Sequence, residues 1–150
     1  MLITGGAGFV GSNLAMALAR SHPDWDVVAF DNLHRKGSEL NLERLSEAGV
    51  EFVRGDVRSP DDLAALTPPD VLIECSAEPS VMSGADGDSS YLYETNLTGA
   101  YNCLELARRS DSLFVFLSSS RVYPLAGLRS LGLEGTETRF ELAESQPVAG

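Results

Sequence analysis

A chain of 150 residues, 43% of them hydrophobic, fits one domain with a sizeable core. Its 22 acidic residues against 11 basic ones give a formal charge of -11 and a pI near 4.4, which argues against nucleic acid or an anionic membrane as a partner. There is no apolar run of about 18 residues and no signal-peptide pattern at the amino terminus, and Cys75 and Cys103 sit in apolar surroundings without metal spacing, so the chain reads as cytoplasmic with structural thiols.

The chain opens on a short apolar strand, Met1-Leu2-Ile3, followed by Thr4 and glycines at Gly5, Gly8 and Gly11. Val10, Leu14, Ala17 and Leu18 then recur at helical spacing. Val27-Val28-Ala29-Phe30 is a second strand and ends in Asp31. After a polar loop, Ser38 reads as a helix cap with Leu40, Leu42 and Leu45 behind it, and Gly49 closes that helix. Glu51 to Arg54 is a third strand. Ser59-Pro60-Asp61-Asp62 is a helix start, because Ser59 can cap, Pro60 suits the first turn, and the acids suit the helix dipole. Val71-Leu72-Ile73 is a fourth strand, followed by a loop of small residues. A long helix over residues 90–109 carries Leu97, Ala100, Tyr101, Leu104 and Ala107 as its apolar stripe. The wholly apolar LFVFL, residues 113–117, predicts a fifth strand buried on both faces, and from Ser118 on the chain reads as irregular.

Strands alternating with helices predict an α/β fold, a doubly wound parallel sheet with strand order 3-2-1-4-5. In such sheets ligands sit at the carboxyl ends of the strands, where the strand order reverses. Strand, glycine loop and helix at residues 1–18 form the context in which a glycine motif binds a dinucleotide. The pyrophosphate needs close backbone, free N–H groups and the positive end of a helix. Asp31 stands twenty residues past Gly11, where a ribose-binding carboxylate is expected.

TGGAGFVG at residues 4–11, FDNLHRKG at 30–37, RGDVR at 54–58, NLTGAYNCLELAR at 96–108 and FLSSSRVY at 116–123 resemble, in order and spacing, the extended short-chain dehydrogenase/reductases. Those are the nucleotide-sugar epimerases and dehydratases, with a Rossmann-like fold and bound NAD. DNLHRKG, NLERL and TETRF look most like the subgroup that epimerises CDP-linked sugars at C2.

The resemblance implies that Gly5, Gly8 and Gly11 hold the pyrophosphate, with Phe9 and Val10 offering backbone N–H groups. It implies that Asp31, beside Asn32, takes the adenine ribose, while Asp56 reaches the adenine amino group and Val57 packs on the ring. Ser76 and Ala77 would line the cleft, Ser118 would sit beside the nicotinamide, and Ser119 would be the catalytic Ser/Thr that bonds the sugar oxygen. Three serines after a strand can also simply bond turn backbone. Arg35 and Lys36 read either as solvated charges or as contacts to cofactor phosphate, and Asp31 favours NAD over NADP. His22 and His34 suggest neither metal nor catalysis.

The family's Tyr-x-x-x-Lys pair does not occur, and the last lysine is Lys36. The chain is therefore expected to be the amino-terminal NAD-binding part of a longer enzyme, with the pair and the substrate domain beyond Gly150 and a homodimer as the whole protein. Ser120-Arg121 stand where dehydratases carry Asp-Glu, which favours epimerase chemistry on a nucleotide sugar. Pro124 replaces the usual glycine after Val122-Tyr123, and Glu74 stands where relatives often have His. Two other readings stay open: a non-catalytic dinucleotide-binding or redox-sensing module, and a net dehydrogenase or reductase.

Overall fold

In the computed structural model, which describes residues 1–80, 89–118 and 125–146, five short strands form one parallel sheet. They are β1 (Leu2–Thr4), β2 (Val28–Asp31), β3 (Glu51–Arg54), β4 (Val71–Glu74) and β5 (Leu113–Phe116), ordered β3-β2-β1-β4-β5 as the sequence predicts. Register is in step across the centre: Thr4 lies opposite both Phe30 and Glu74, so all the strands end at one edge. The chain forms two compact units, Met1–Leu117 and Ser118–Gly150.

Side chains alternate across the sheet and build two apolar layers. Ile3, Ala29 and Ile73 pack with Ala15 and Met16 of α1 (Phe9–Ser21) and Leu45 of α2 (Asn41–Glu47). Leu2, Phe30 and Leu72 pack on the other face with Leu63 of α3 (Pro60–Ala64) and with Cys103 and Ala107 of α5 (Ala100–Arg109). The α3 start is as read from sequence: the Asp62 N–H donates to Ser59 Oγ at 3.3 Å, with Pro60 in the first turn.

Several expectations are corrected. In α1 the buried residues are Gly11, Ser12, Ala15 and Met16, while Val10 and Ala17 face solvent. The helix is rotated from its apolar pattern because Gly11 must approach the glycine turn. Ser38 begins a single 3-10 turn (Ser38–Leu40) and donates its hydroxyl to the Arg35 carbonyl instead of capping. Leu40 is exposed.

The long helix is three consecutive pieces: α4 (Ser90–Tyr93), a π-helical stretch (Glu94–Gly99) and α5. Its buried positions are Thr95, Gly99, Cys103 and Ala107, one every four residues. A β-carbon at Gly99 would lie 2.7 Å from Val57 Cγ2, so the helix approaches too closely for large side chains. Leu97, Tyr101 and Leu104 of the expected stripe are exposed instead. Strand β5 is an edge strand with Leu113 63% and Phe116 51% exposed, not buried on both faces.

Within the second unit the sequence read as irregular, yet it holds a helix α6 (Leu125–Arg129) and an antiparallel hairpin of β6 (Leu133–Gly135) and β7 (Phe140–Leu142). The Thr136 N–H and hydroxyl both donate to the Arg139 carbonyl and close its turn. The strands are only three residues each, too short for an alternation signal.

Candidate dinucleotide site

The carboxyl edge of the sheet gathers the loop after β1, Asp31 to Leu33, Asp56 to Arg58, and Cys75 to Ala77. Gly5 adopts φ +61°, and a β-carbon there would lie 2.7 Å from the Cys75 carbonyl oxygen and 2.9 Å from Ser76 N. A β-carbon on Gly11 would drive into the Gly5 carbonyl. These close approaches draw the amino end of α1 tight against the edge of β1 and β4. No side chain caps that end; Gly8 is the N-cap. The Phe9, Val10 and Gly11 N–H groups have no carbonyl within the helix to bond, and the helix dipole points its positive end there. Such a cradle fits an anion and in particular a dinucleotide pyrophosphate. Phe9, at this end, is 83% exposed.

Asp31 holds this loop in place. Its Oδ2 accepts the Ala7 N–H at 3.1 Å and its Oδ1 accepts the Leu33 N–H at 2.8 Å. From the other side Asn41 Nδ2 donates to the Ala7 carbonyl at 2.9 Å, and the Gly6 N–H donates to the Phe30 carbonyl. Asn41 is 34 residues from Ala7, and nothing in local spacing marks it.

The Asp56 carboxylate is already heavily engaged. Oδ1 accepts the Arg58 N–H at 2.9 Å and Nε at 3.0 Å; Oδ2 accepts Arg58 Nη2 at 2.7 Å and Asn32 Nδ2 at 3.0 Å. Arg58 holds this acid down at about 2, below its ordinary 3.8, with burial opposing and Asn32 adding to the effect. An adenine amino group at Asp56 would therefore have to take over one of these acceptor positions, since a carboxylate offers about four. Arg58 also lies 4.9 Å from the centre of the Tyr91 ring, and His34 stacks on that same ring at 4.5 Å. Sequence reading missed Arg58, although an acid and an arginine two apart at a strand end are a signal for such a clamp. Val57 is buried beneath this cluster, and Asn102 Nδ2 donates to its carbonyl at 3.0 Å.

Ser76 is half-buried and Ala77 exposed on the loop after β4. Asn96, in the π-helical stretch, pins that loop: the Glu78 N–H donates to Asn96 Oδ1 at 2.8 Å, and Asn96 Nδ2 donates to the Glu78 carbonyl at 3.2 Å. The Arg35 side chain is exposed. Ser118 is exposed directly after β5, in the second unit, while Ser119 and Val122-Tyr123-Pro124 lie outside the described residues. Cys75 and Cys103 are free thiols, pushed by burial to about 11 and about 12. Among the described residues no three His, Cys, Asp or Glu converge as metal ligands, and no helix is long and apolar enough to cross a membrane.

Comparison with known proteins agrees with this geometry. Residues 1–147 match the NAD dependent epimerase/dehydratase family. The chain is 37% identical over 147 residues to CDP-paratose 2-epimerase of Salmonella typhi, covering 93% of this chain and 42% of that protein. It superimposes with a TM-score of 0.71 on UDP-glucose-4-epimerase of Stenotrophomonas maltophila with bound NAD and formylated UDP-arabinopyranose, at 29% identity over 81% of this chain and 37% of that one. A dTDP-glucose 4,6-dehydratase of Bacillus anthracis in complex with NAD gives a TM-score of 0.70 at 29% identity, over 97% of this chain and 44% of that one. The chain thus spans about two fifths of the length of the relatives it matches.

Proposed function

The chain belongs to the NAD-dependent epimerase/dehydratase family, and from that premise we propose that it is the cofactor-holding part of a nucleotide-sugar epimerase most like CDP-paratose 2-epimerase. The observation that carries the cofactor role is the uncapped amino end of α1, set behind a glycine turn that Asp31 ties down. NAD, when bound, supplies a hydride acceptor that takes hydride from a sugar carbinol and returns it to the opposite face.

The residues of this chain bind and orient. The loop glycines with Phe9 and Val10 receive the pyrophosphate, Asp31 and Asn32 the ribose, and Asp56 with Val57 the adenine. Exposed Arg35 supplies a cation for the cofactor phosphates. Ser76 and Ala77 line the path to the nicotinamide, and Ser118 and Ser119 keep the roles that the family resemblance gives them. A proton-transfer group of matched pKa is needed besides these, and the family's Tyr-x-x-x-Lys is absent from residues 1–150. This chain alone binds NAD and does not turn over, and the whole protein works as a homodimer.

The test is NAD binding by calorimetry on the chain, followed by incubation of the full-length protein with CDP-linked sugars. Epimerisation without net NADH and without uptake of solvent deuterium at the inverted carbon supports the proposal. Stoichiometric NADH marks a net dehydrogenase. Tight NAD binding without turnover of any nucleotide sugar marks a non-catalytic sensing module.

A further inference from the structure

Among the described residues, four buried side-chain oxygens have no hydrogen-bond partner: Thr4 Oγ1, Ser12 Oγ, Glu74 Oε1 and Thr95 Oγ1. Two of these residues, Thr4 and Glu74, stand directly opposite each other in the β1–β4 ladder. Both project from the sheet face that α5 covers. Leu2 and Leu72, two residues earlier on the same strands, pack against Cys103 there. Glu74 is 2% exposed, and an ionised carboxylate so placed is unfavourable unless a cation or donors compensate it. No cation of the described residues acts on it. The titratable groups within its influence are the thiols of Cys75 and Cys103, both neutral, and its other cross-strand neighbour, Phe116 of β5, carries no charge. Burial pushes Glu74 up to about 7, with the polar groups of Ser76 opposing in part.

The neighbours in sequence connect this group to the cofactor cleft. Thr4 leads into the Gly5 turn. The Cys75–Ser76 peptide, immediately after Glu74, is the backbone against which Gly5 packs without room for a β-carbon. The carboxyl is therefore buried at the strand end whose next peptide, Cys75–Ser76, backs the glycine turn of the phosphate cradle. We propose that Glu74 is a positioning residue of the dinucleotide cleft, uncharged when cofactor is bound, and that its ionisation places a negative charge behind the cradle and loosens the cofactor.

The inference rests on the reading of the α1 terminus as the pyrophosphate site. A pyrophosphate brings two negative charges beside a carboxyl divided between its two forms at neutral pH. Binding draws the carboxyl toward its neutral form, and the proton comes from solvent. Affinity should consequently fall as pH rises through neutrality.

Calorimetric titration of NAD into the protein, in two buffers of different ionisation enthalpy from about pH 6 to about pH 9, measures this directly. Wild-type protein should take up a proton on binding above neutrality and lose about tenfold in affinity across the range, as raising one group's pKa by about one requires. Glu74→Gln should bind with no such uptake and with a flat profile near the acid limit of wild type. A flat wild-type profile, or uptake that persists in Glu74→Gln, overturns the inference and leaves the cofactor reading intact.

A second measurement stands without the variant's fold. In wild-type protein labelled at glutamate carboxyl carbons, one buried signal should titrate near neutrality and move to higher pH when NAD is added. If every glutamate titrates in the ordinary carboxylate range, the inference is wrong. If NAD binds at no pH, the cofactor reading fails and this inference with it.

Discussion

The Asp31 carboxylate accepts the Ala7 backbone N–H at 3.1 Å, joining the end of β2 to the glycine loop after β1. An acid in this place is commonly assigned to the ribose, but here it also holds the loop that would receive the pyrophosphate. Removing it therefore has two consequences that can be separated. Asp31→Ala should lower stability by about 1–3 kcal/mol, the range for losing a charge-assisted hydrogen bond and orphaning its partner. It should also weaken NAD. Asp31→Asn, which keeps an acceptor for Ala7, should recover most of the stability and much less of the binding. Denaturant unfolding and calorimetry, run side by side, check both.

Gly5→Ala tests the close approach itself. The new methyl meets the Cys75 carbonyl at 2.7 Å and forces a side chain into the left-handed region at φ +61°. The conformation alone costs about 1–2 kcal/mol, and the clash adds to it. A lowered Tm with NAD affinity down at least tenfold is expected. Gly37→Ala, at φ +94° but with nothing within 4 Å, should lose stability through the backbone alone and leave NAD binding unchanged.

The strand order and the glycine turn at the amino end of α1 were legible because both follow from local rules: short apolar runs, glycines at fixed spacing, an acid at the next strand end. What was not legible depends on distance through space. Asn41 finds the Ala7 carbonyl across 34 residues, and Arg58 occupies Asp56 so fully that its adenine role cannot be read from its type. The long helix misled because apolar periodicity reports a sticky face, not the face that fits. Small residues at Thr95, Gly99, Cys103 and Ala107 turn inward, and at Gly99 Val57 leaves no room for a side chain. Glu74 stood out only as an acid where relatives often have His, and the orphaned oxygens around it indicate what it could do.

The Asp56–Arg58 pair sets an acid limb. The folded-state value of about 2 lies below the ordinary 3.8, so its stabilisation is complete above about pH 4 and is lost as pH falls toward 2. The pair is partly exposed, at 30% and 22% of the two side chains, and solvent screening reduces its worth to about 1 kcal/mol. Arg58→Met should move the midpoint of acid unfolding upward in pH and leave stability near neutrality about 1 kcal/mol lower. Circular dichroism against pH for the two proteins gives the comparison.

Glu74 acts with the opposite sign. Its folded-state value of about 7 exceeds the ordinary 4.5, so between those values the folded protein keeps a proton that the unfolded chain releases. Stability should therefore decline as pH rises from about 4.5 to about 7 and stay level above that. Glu74→Gln removes the decline, and above neutrality it should be more stable than wild type by about 3 kcal/mol. Thermal unfolding of both proteins across this range reads the difference, and parallel curves would show that Glu74 is solvated.

The outer face of the long helix gives the last expectation. Tyr93, Leu97, Tyr101 and Leu104 are 62%, 56%, 60% and 48% exposed and follow one another at spacings of four, four and three residues. They therefore line one side of the helix over about three turns. Large side chains in contiguous exposure mark an interaction surface more often than isolated ones do. The acidic balance of the chain, -11 overall, opposes association through charged faces, so two copies would meet best where charge is absent. A second copy laid along this stripe would cover these side chains in both molecules at once, as a twofold interface requires. The chain should accordingly self-associate with rising concentration in sedimentation velocity, and added salt should strengthen that association by screening the net charge. Leu97→Glu with Leu104→Glu adds four like charges across the paired face and should leave a monomer of about 16 kDa at every concentration, with the fold intact by circular dichroism. A wild-type chain that stays monomeric throughout would rule out this stripe as a self-association surface.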